Sequence, residues 1–135
     1  MYVSYIRKID ELGRIVIPKE IRTKLKIQEN ENILIDLNDE KISIAKYSFL
    51  SNYQKFINEL CNQVIEIYHI NIIIKDQEKE IFNNYTEHKK YQFEELIIKE
   101  SINLGRITIY SDYEEGIKNL IKLIARILTI YLENL

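Results

Sequence analysis

The chain has 135 residues, 19 Lys and Arg against 21 Asp and Glu, 46% apolar and 30% charged residues. That is one ordinary domain by length, or two very small ones, and the balance excludes a disordered chain. No apolar run reaches the roughly 18 residues of a membrane span, and the N-terminus lacks a basic run followed by an apolar core. The single cysteine, Cys61, excludes an internal disulfide and a cysteine-cluster metal site, and a reducing cytoplasm is the expected compartment.

The net charge of −2 hides an uneven distribution. Residues 1–27 carry seven bases (Arg7, Lys8, Arg14, Lys19, Arg22, Lys24 and Lys26) against Asp10, Glu11 and Glu20. Both later segments, 28–48 and 49–135, are net acidic. The basic first quarter therefore keeps a nucleic-acid partner open where the whole-chain charge would discourage it.

Taken in order, Tyr2–Ile9 is rich in β-branched and aromatic residues and reads as a strand. Asp10-Glu11-Leu12-Gly13 is a turn with Gly13 at positive φ, followed by a second strand, Arg14–Ile17. Pro18 suits the first position of a short helix carrying the apolar pair Ile21 and Leu25. Two more strands, Ile33–Asn38 and Lys41–Lys46, follow a polar turn at 28–32. Four short strands and one short helix in 47 residues are at the lower limit for burying a core. Size alone thus predicts that residues 1–47 dimerise with a second copy.

From residue 48 the rhythm changes. Ser48–Tyr68 has helical apolar spacing, with Ser51 and Gln54 as a capping box. His69–Ile74 and Lys79–Asn83 read as strands, and Asn84–Lys90 as a polar loop. Glu95–Ile102 and Arg106–Tyr110 are strands joined through Asn103-Leu104-Gly105. Asp112 and Glu115 form a second capping box opening a helix from Tyr113 to about Glu133. This makes residues 48–135 an α+β domain with a small antiparallel sheet. The terminal helix is apolar around more than one face, apart from the stripe Lys118, Lys122 and Arg126, so it is expected both to pack on the sheet and to join subunits.

The run Arg7-Lys8-Ile9-Asp10-Glu11-Leu12-Gly13-Arg14-Ile15-Val16-Ile17-Pro18 resembles the N-terminal domain of AbrB-type bacterial transition-state regulators, over residues 3–47. The resemblance implies a swapped-hairpin β-barrel in which two chains interleave their strands to bind double-stranded DNA. It places DNA-contacting arginines at Arg7, Arg14 and Arg22, and Lys8, Lys19 and Lys24 complete the candidate DNA-binding set. Thr23 replaces the second arginine of the family's helix segment, and Lys26 stands where the family often has glycine. Arginine forks suit phosphate oxygens and guanine edges.

An AbrB-type segment followed by helix, small sheet and apolar helix resembles the SpoVT-type sporulation regulators, whose second domain is GAF-like. Gly105–Ser111 looks like the last strand of that domain, and the usual ligand-enclosing stretch is reduced to Asn83–Lys90. Residues 48–135 are accordingly expected to be a compact GAF-like module. It would set the oligomer, up to a tetramer through its helices, with Tyr85, Tyr91 and Phe93 as candidate pocket residues but more readily sheet packing. Cys61 reads as a core residue, and His69 and His88 as a packed or surface histidine and a loop histidine. No catalytic arrangement, cofactor or metal site is legible. The function expected is a sequence-tolerant transcription regulator that is not an enzyme, with an antitoxin-type autoregulator and a metabolite-sensing regulator as alternatives.

Overall fold

The computed structural model describes residues 3–77 and 79–132. The chain divides into two compact units, Met1–Tyr47 and Ser48–Leu135. Together they form a mixed α and β protein, with one helix and a two-stranded sheet in the first unit and two helices and a four-stranded sheet in the second.

In the first unit, helix α1 (Lys19–Leu25) begins one residue after Pro18, which is its N-cap (φ −54°, ψ 142°) and not its first helical residue as expected. Lys26 ends it in the left-handed conformation (φ 56°), donating its N–H to the carbonyls of Arg22 and Thr23. Strands β1 (Ile33–Asn38) and β2 (Lys41–Lys46) make a hairpin in which Ile35 faces Ile44 and Leu37 faces Ile42. Its turn places Asp39 at φ 54°. The expected strands at Tyr2–Ile9 and Arg14–Ile17 do not appear within this chain: residues 3–9 and 14–17 form no ladder, and Tyr2 lies outside the described residues. The reason is that neither segment has a paired strand beside it. One backbone bond, from Asp10 N–H to Arg14 carbonyl at 3.0 Å, closes the turn between them.

No described residue of this unit is buried. Ile6 is 94% exposed and Leu37 79%, and Ile35 and Ile42 on the hairpin's apolar face are also open. The second unit holds all the buried apolar residues.

That second unit opens on a 3-10 turn, Leu50–Tyr53, leading into α2 (Gln54–Tyr68). The expected Ser51–Gln54 capping box is absent. Ser48 takes the capping role instead, its Oγ accepting the Ser51 N–H at 3.2 Å, while that hydroxyl donates to the buried Asp76 carboxylate at 2.7 Å. Asp76 also accepts the Leu50 N–H. His69 does not open a strand. It ends α2 at φ 54° with its N–H on the Ile65 carbonyl, and β3 begins two residues later (Asn71–Asp76).

Strands β4 (Lys79–Asn83), β5 (Tyr91–Lys99) and β6 (Ile102–Ser111) complete an antiparallel sheet of order β4-β3-β6-β5. The β5–β6 connection is at Glu100-Ser101, both at positive φ, and not at Asn103–Gly105. Two consecutive left-handed residues make the tight turn whose twist suits a hairpin. The glycine lies inside β6 beside a register shift opposite Ile97 and Ile98. A Cβ there would sit 2.5 Å from the Lys75 carbonyl oxygen, so Gly105 permits close approach of β3 and β6. Helix α3 (Ile117–Tyr131) starts later than its expected capping box. Ser111 Oγ holds residues 111–113 in a side-chain turn, and Gly116 is the N-cap at φ 79°. The expected end at Glu133 lies outside the described residues.

Both helices serve one core. Ile57, Cys61 and Val64 of α2 and Ile117, Leu120, Ile121, Ile124 and Leu128 of α3 pack with Ile72, Ile74, Ile107 and Ile109 of the sheet. Phe56 stacks on Tyr131 at 3.8 Å between ring centroids, joining the helices. Burial pushes the Cys61 thiol up to about 12, which leaves it an apolar filler.

Two substitutions test this packing. Gly105→Ala should cost the second unit about 2 kcal/mol by overpacking, read as a lower urea midpoint. Lys26→Gly should stabilise the first unit by about 1 kcal/mol by releasing a side chain from the left-handed region. An unchanged or lower midpoint at fixed chain concentration would count against that account.

Candidate nucleic-acid interface

All six candidate residues, Arg7, Lys8, Arg14, Lys19, Arg22 and Lys24, lie on the first unit and are exposed. They occupy three segments: 3–9, the strand-like stretch after the turn, and α1. Each segment is tied to the next by a contact that also holds an arginine.

The turn is the first tie. Asp10 accepts the backbone N–H of Leu12 at 2.9 Å and of Arg14 at 2.8 Å with Oδ1. Its Oδ2 takes the Arg14 Nε–H at 2.8 Å, and the Arg14 side chain remains 73% exposed. One carboxylate thus shapes the loop and aims the guanidinium, leaving the outer Nη atoms for another partner. The Arg14 backbone and side-chain bonds hold the Asp10 carboxyl below its ordinary range.

The second tie joins 3–9 to α1. The Arg7 guanidinium lies 5.3 Å from the Tyr5 ring centroid and donates to the Ile6 carbonyl. The Tyr5 hydroxyl donates to the Glu20 carboxylate on α1, a bond that raises the tyrosine above its ordinary value. Two of the three acids of this region are therefore engaged, Asp10 with Arg14 and Glu20 with Tyr5. The third tie runs from α1 back to the stretch after the turn, where Arg22 Nε donates to the Ile17 carbonyl at 3.0 Å.

Not all six residues share one face. Residues two apart on a helix project about 160° from each other, so Arg22 and Lys24 flank opposite sides of the apolar pair Ile21 and Leu25. Among the described residues, Arg7, Lys8, Lys19, Arg22 and Lys24 have no carboxylate within ion-pair distance. Sequence reasoning missed Tyr5 and Asp10 as positioning residues. Tyr5 lies two residues before Arg7, which is the same face of an extended segment. Asp10 stands at the start of an Asp-x-Leu-Gly turn, a position where a carboxylate commonly binds the backbone ahead of it.

A concavity of about 440 Å³ opens on the same unit, lined by Val3, Tyr5, Ile15, Ile17, Leu25 and Ile44 among others. Its lining is mainly apolar but includes Arg7, so one of the candidate cations borders the open concavity.

In the second unit the three candidate pocket aromatics do not converge. Phe93 is paired with Ile109 and packs against the core. Tyr85 makes an edge contact with Tyr110 at 4.7 Å, and Tyr110 faces Gln92, the neighbour of Phe93 on the opposite side of the sheet. Tyr91 carries the Lys90 ammonium over its ring. Among the described residues no group of His, Cys, Asp and Glu could hold a metal ion, and no helix is long and apolar enough to cross a membrane.

Comparison with known proteins agrees with where these features lie. Residues 6–49 match the family model described as "Antidote-toxin recognition MazE, bacterial antitoxin". The chain is 33% identical over 87 residues, 64% of its length and 49% of the relative's, to "Stage V sporulation protein T" of Bacillus subtilis. It is 52% identical over 42 residues, 31% of its length and 44% of the relative's, to "Transition state regulatory protein AbrB" of the same organism. The solution structure of the N-terminal DNA recognition domain of that AbrB is 47% identical, covering 35% of this chain and 89% of the domain, with a TM-score of 0.32. The chain spans about half the length of the curated relatives it matches. The Stage V sporulation protein T match is longer than the first unit, so it runs into the second. The chain is thus similar to AbrB and to Stage V sporulation protein T, and the family-model match over residues 6–49 spans Arg7, Arg14 and Arg22.

The turn makes a pH-dependent prediction. A carboxyl whose folded value is depressed stabilises above its unfolded value and loses that contribution as pH falls through the folded one. The Arg14 amide resonance should therefore titrate with a midpoint below the ordinary aspartate value of about 3.9, and Asp10→Asn should abolish the titration. A midpoint at or above that value would refute the Asp10 assignment.

Proposed function

We propose that this chain is a DNA-binding transcription regulator of the AbrB/SpoVT type, in which two copies of residues 1–47 interleave as a swapped-hairpin barrel and present Arg7, Lys8, Arg14, Lys19, Arg22 and Lys24 to duplex DNA. The observation that carries the reading is the first unit's exposed apolar surface next to unpaired cations. A hairpin with Ile35, Leu37, Ile42 and Ile44 open to water cannot stand alone, because each such side chain forgoes about 1.5–3 kcal/mol of burial. A second copy fills the open concavity and supplies the missing partners for residues 3–9 and 14–17. It also doubles the cations on one body.

Residues 48–135 act in this reading as a compact GAF-like module that sets the assembly. Its helices offer Ile67, Leu123 and Ile130, all exposed, for joining dimers into a tetramer. Dispersal of the aromatics over both sheet faces favours assembly over metabolite sensing. The antitoxin alternative has the matched family description in its favour. Against it stands the packed second unit, where an antitoxin would carry a toxin-wrapping disordered tail. The chain works without cofactor and in the cytoplasm.

The arginines supply affinity through phosphates and a smaller share through base edges. With about eight phosphate contacts per dimer, binding should fall by roughly 10³–10⁵ between 50 and 200 mM salt. Arg14→Ala removes an exposed side chain from the turn while Asp10 keeps its two backbone bonds. It should weaken duplex binding about tenfold or more, the worth of a charged hydrogen bond, with an unchanged sedimentation coefficient. Wild-type affinity for that variant, measured by fluorescence anisotropy at 100 mM salt, would place the interface elsewhere.

A further inference from the structure

We propose that strand β5 of the second unit pairs antiparallel with β5 of a second copy, extending the sheet across a two-fold axis at Ile97. The two outer strands of this sheet are built differently. β4 is five residues long and carries a register shift against β3. Its Ile81 carbonyl accepts the Gln54 side-chain amide of α2, so that edge is shortened, bent and partly capped. β5 is nine residues long, and the irregularity opposite it, at Leu104, is carried by β6. No strand flanks its outer side among the described residues. Leu96 and Ile98 are 42% and 50% exposed on it. A long, regular edge with an apolar run such as Leu96–Ile98 is a template for another strand, and soluble proteins cover or blunt such edges.

A slot of about 330 Å³ runs along this edge, lined by Glu95, Leu96 and Ile98 of β5 and by Lys122, Arg126 and Thr129 of α3. It contains residues from both faces of the strand, as a space for an added strand must.

The sequence of β5 selects a copy of itself as the occupant. When both sets of helices lie on one side of the joined sheet, only residues of the same parity face each other. With the axis at Ile97, Leu96 meets Ile98 of the second copy and Glu95 meets Lys99, each twice by symmetry. Lys99 spends one of its three donors on the Leu132 carbonyl at 2.9 Å and keeps two. Moving the axis to Leu96 sets Glu95 against Ile97 and Glu94 against Ile98. Moving it to Glu95 brings two glutamates face to face, a repulsive pair. Pairing ends at Lys99 because Glu100 and Ser101 turn the chain away. One register thus joins apolar to apolar and acid to base over residues 95–99.

The test uses the full chain. In Leu96→Cys/Ile98→Cys, mild oxidation should convert most of the protein to a covalent dimer whose proteolytic digest contains a 96–98 interchain peptide. Cys61 is buried and takes no part. Chains that stay at single mass, or that link only 96 to 96 or 98 to 98, overturn the proposal. Amide exchange provides a second measurement that does not depend on disulfide geometry. In the purified wild type, the outward amides of 95–99 should exchange at least tenfold more slowly than in Leu96→Lys/Ile98→Lys, whose side chains are exposed and whose core is untouched. Equal exchange in the two proteins, or protection that appears only after a foreign peptide is added, refutes self-pairing.

Discussion

The first 47 residues contain more apolar surface than they can hide. α1 spans two turns and the hairpin has two strands, so each element offers an apolar face and neither is large enough to cover the other. The structure shows the outcome directly: no residue among 3–47 is buried, whereas the second unit closes around a continuous core. Lengthening the loops would not help, since the shortage is of partner surface. A second copy relieves it at no cost in coding length, because whatever complements the first copy is itself exposed on the second.

The same shortage explains how the basic residues are presented. Exposed arginines ordinarily sample many rotamers, and holding one in place costs conformational entropy. Here Asp10 holds Arg14, the Ile17 carbonyl holds Arg22, and the Tyr5 ring with the Ile6 carbonyl holds Arg7, while all three side chains stay on an exposed surface. A phosphate arriving at such a group finds part of the ordering already done. Among the described residues Lys8, Lys19 and Lys24 lack any such support, which suits them to diffuse attraction more than to fixed contacts. The departures from the AbrB pattern fall on α1 and its cap. Thr23 removes one fork there, and Lys26 puts a positive charge at a helix C-terminus, where the dipole favours it, at the expense of backbone strain.

Legibility in the sequence followed the range of the interactions concerned. Pro18, the Gly13 turn, the β1–β2 hairpin and the apolar stripe of α3 depend on neighbours within a few residues, and all were readable from spacing and turn chemistry. The helix starts were not. Ser51–Gln54 and Asp112–Glu115 both have capping-box spacing, but Ser48 is claimed by Asp76, 28 residues away, and Ser111 and Gly116 set the later start of α3. His69 looked like the first residue of a strand because a β-branched run follows it, yet the helix C-terminus needed a left-handed residue there. Gly105 drew the β-turn assignment away from Glu100-Ser101. A glycine is equally a signature of close strand approach, and only the Lys75 carbonyl across the sheet decides between the two. On the first unit, the arginines were visible as residue types, but the contacts that aim them cross from one segment to another.

The two proposed contacts differ greatly in strength, and their linkage matters more than their sum. Pairing of five residues at a strand edge is weak by itself, like an isolated hairpin in water. Once residues 1–47 hold two chains together, a second unit from the same pair competes for β5 at an effective concentration in the millimolar range for a short connection. If that partner is geometrically available, the edge closes within the dimer and the assembly stops there. If it is not, β5 must recruit a chain from another dimer, and a two-fold contact at each end gives either a closed tetramer or a growing filament. Register selectivity is what separates these outcomes. An edge that accepted any register would propagate, whereas one that tolerates only the Ile97 axis admits one geometry and can be closed by it. Glu95 then has a physical reason to stand beside the apolar run 96–98: it meets Lys99 in the chosen register, whereas Glu94 and Glu95 penalise the neighbouring registers.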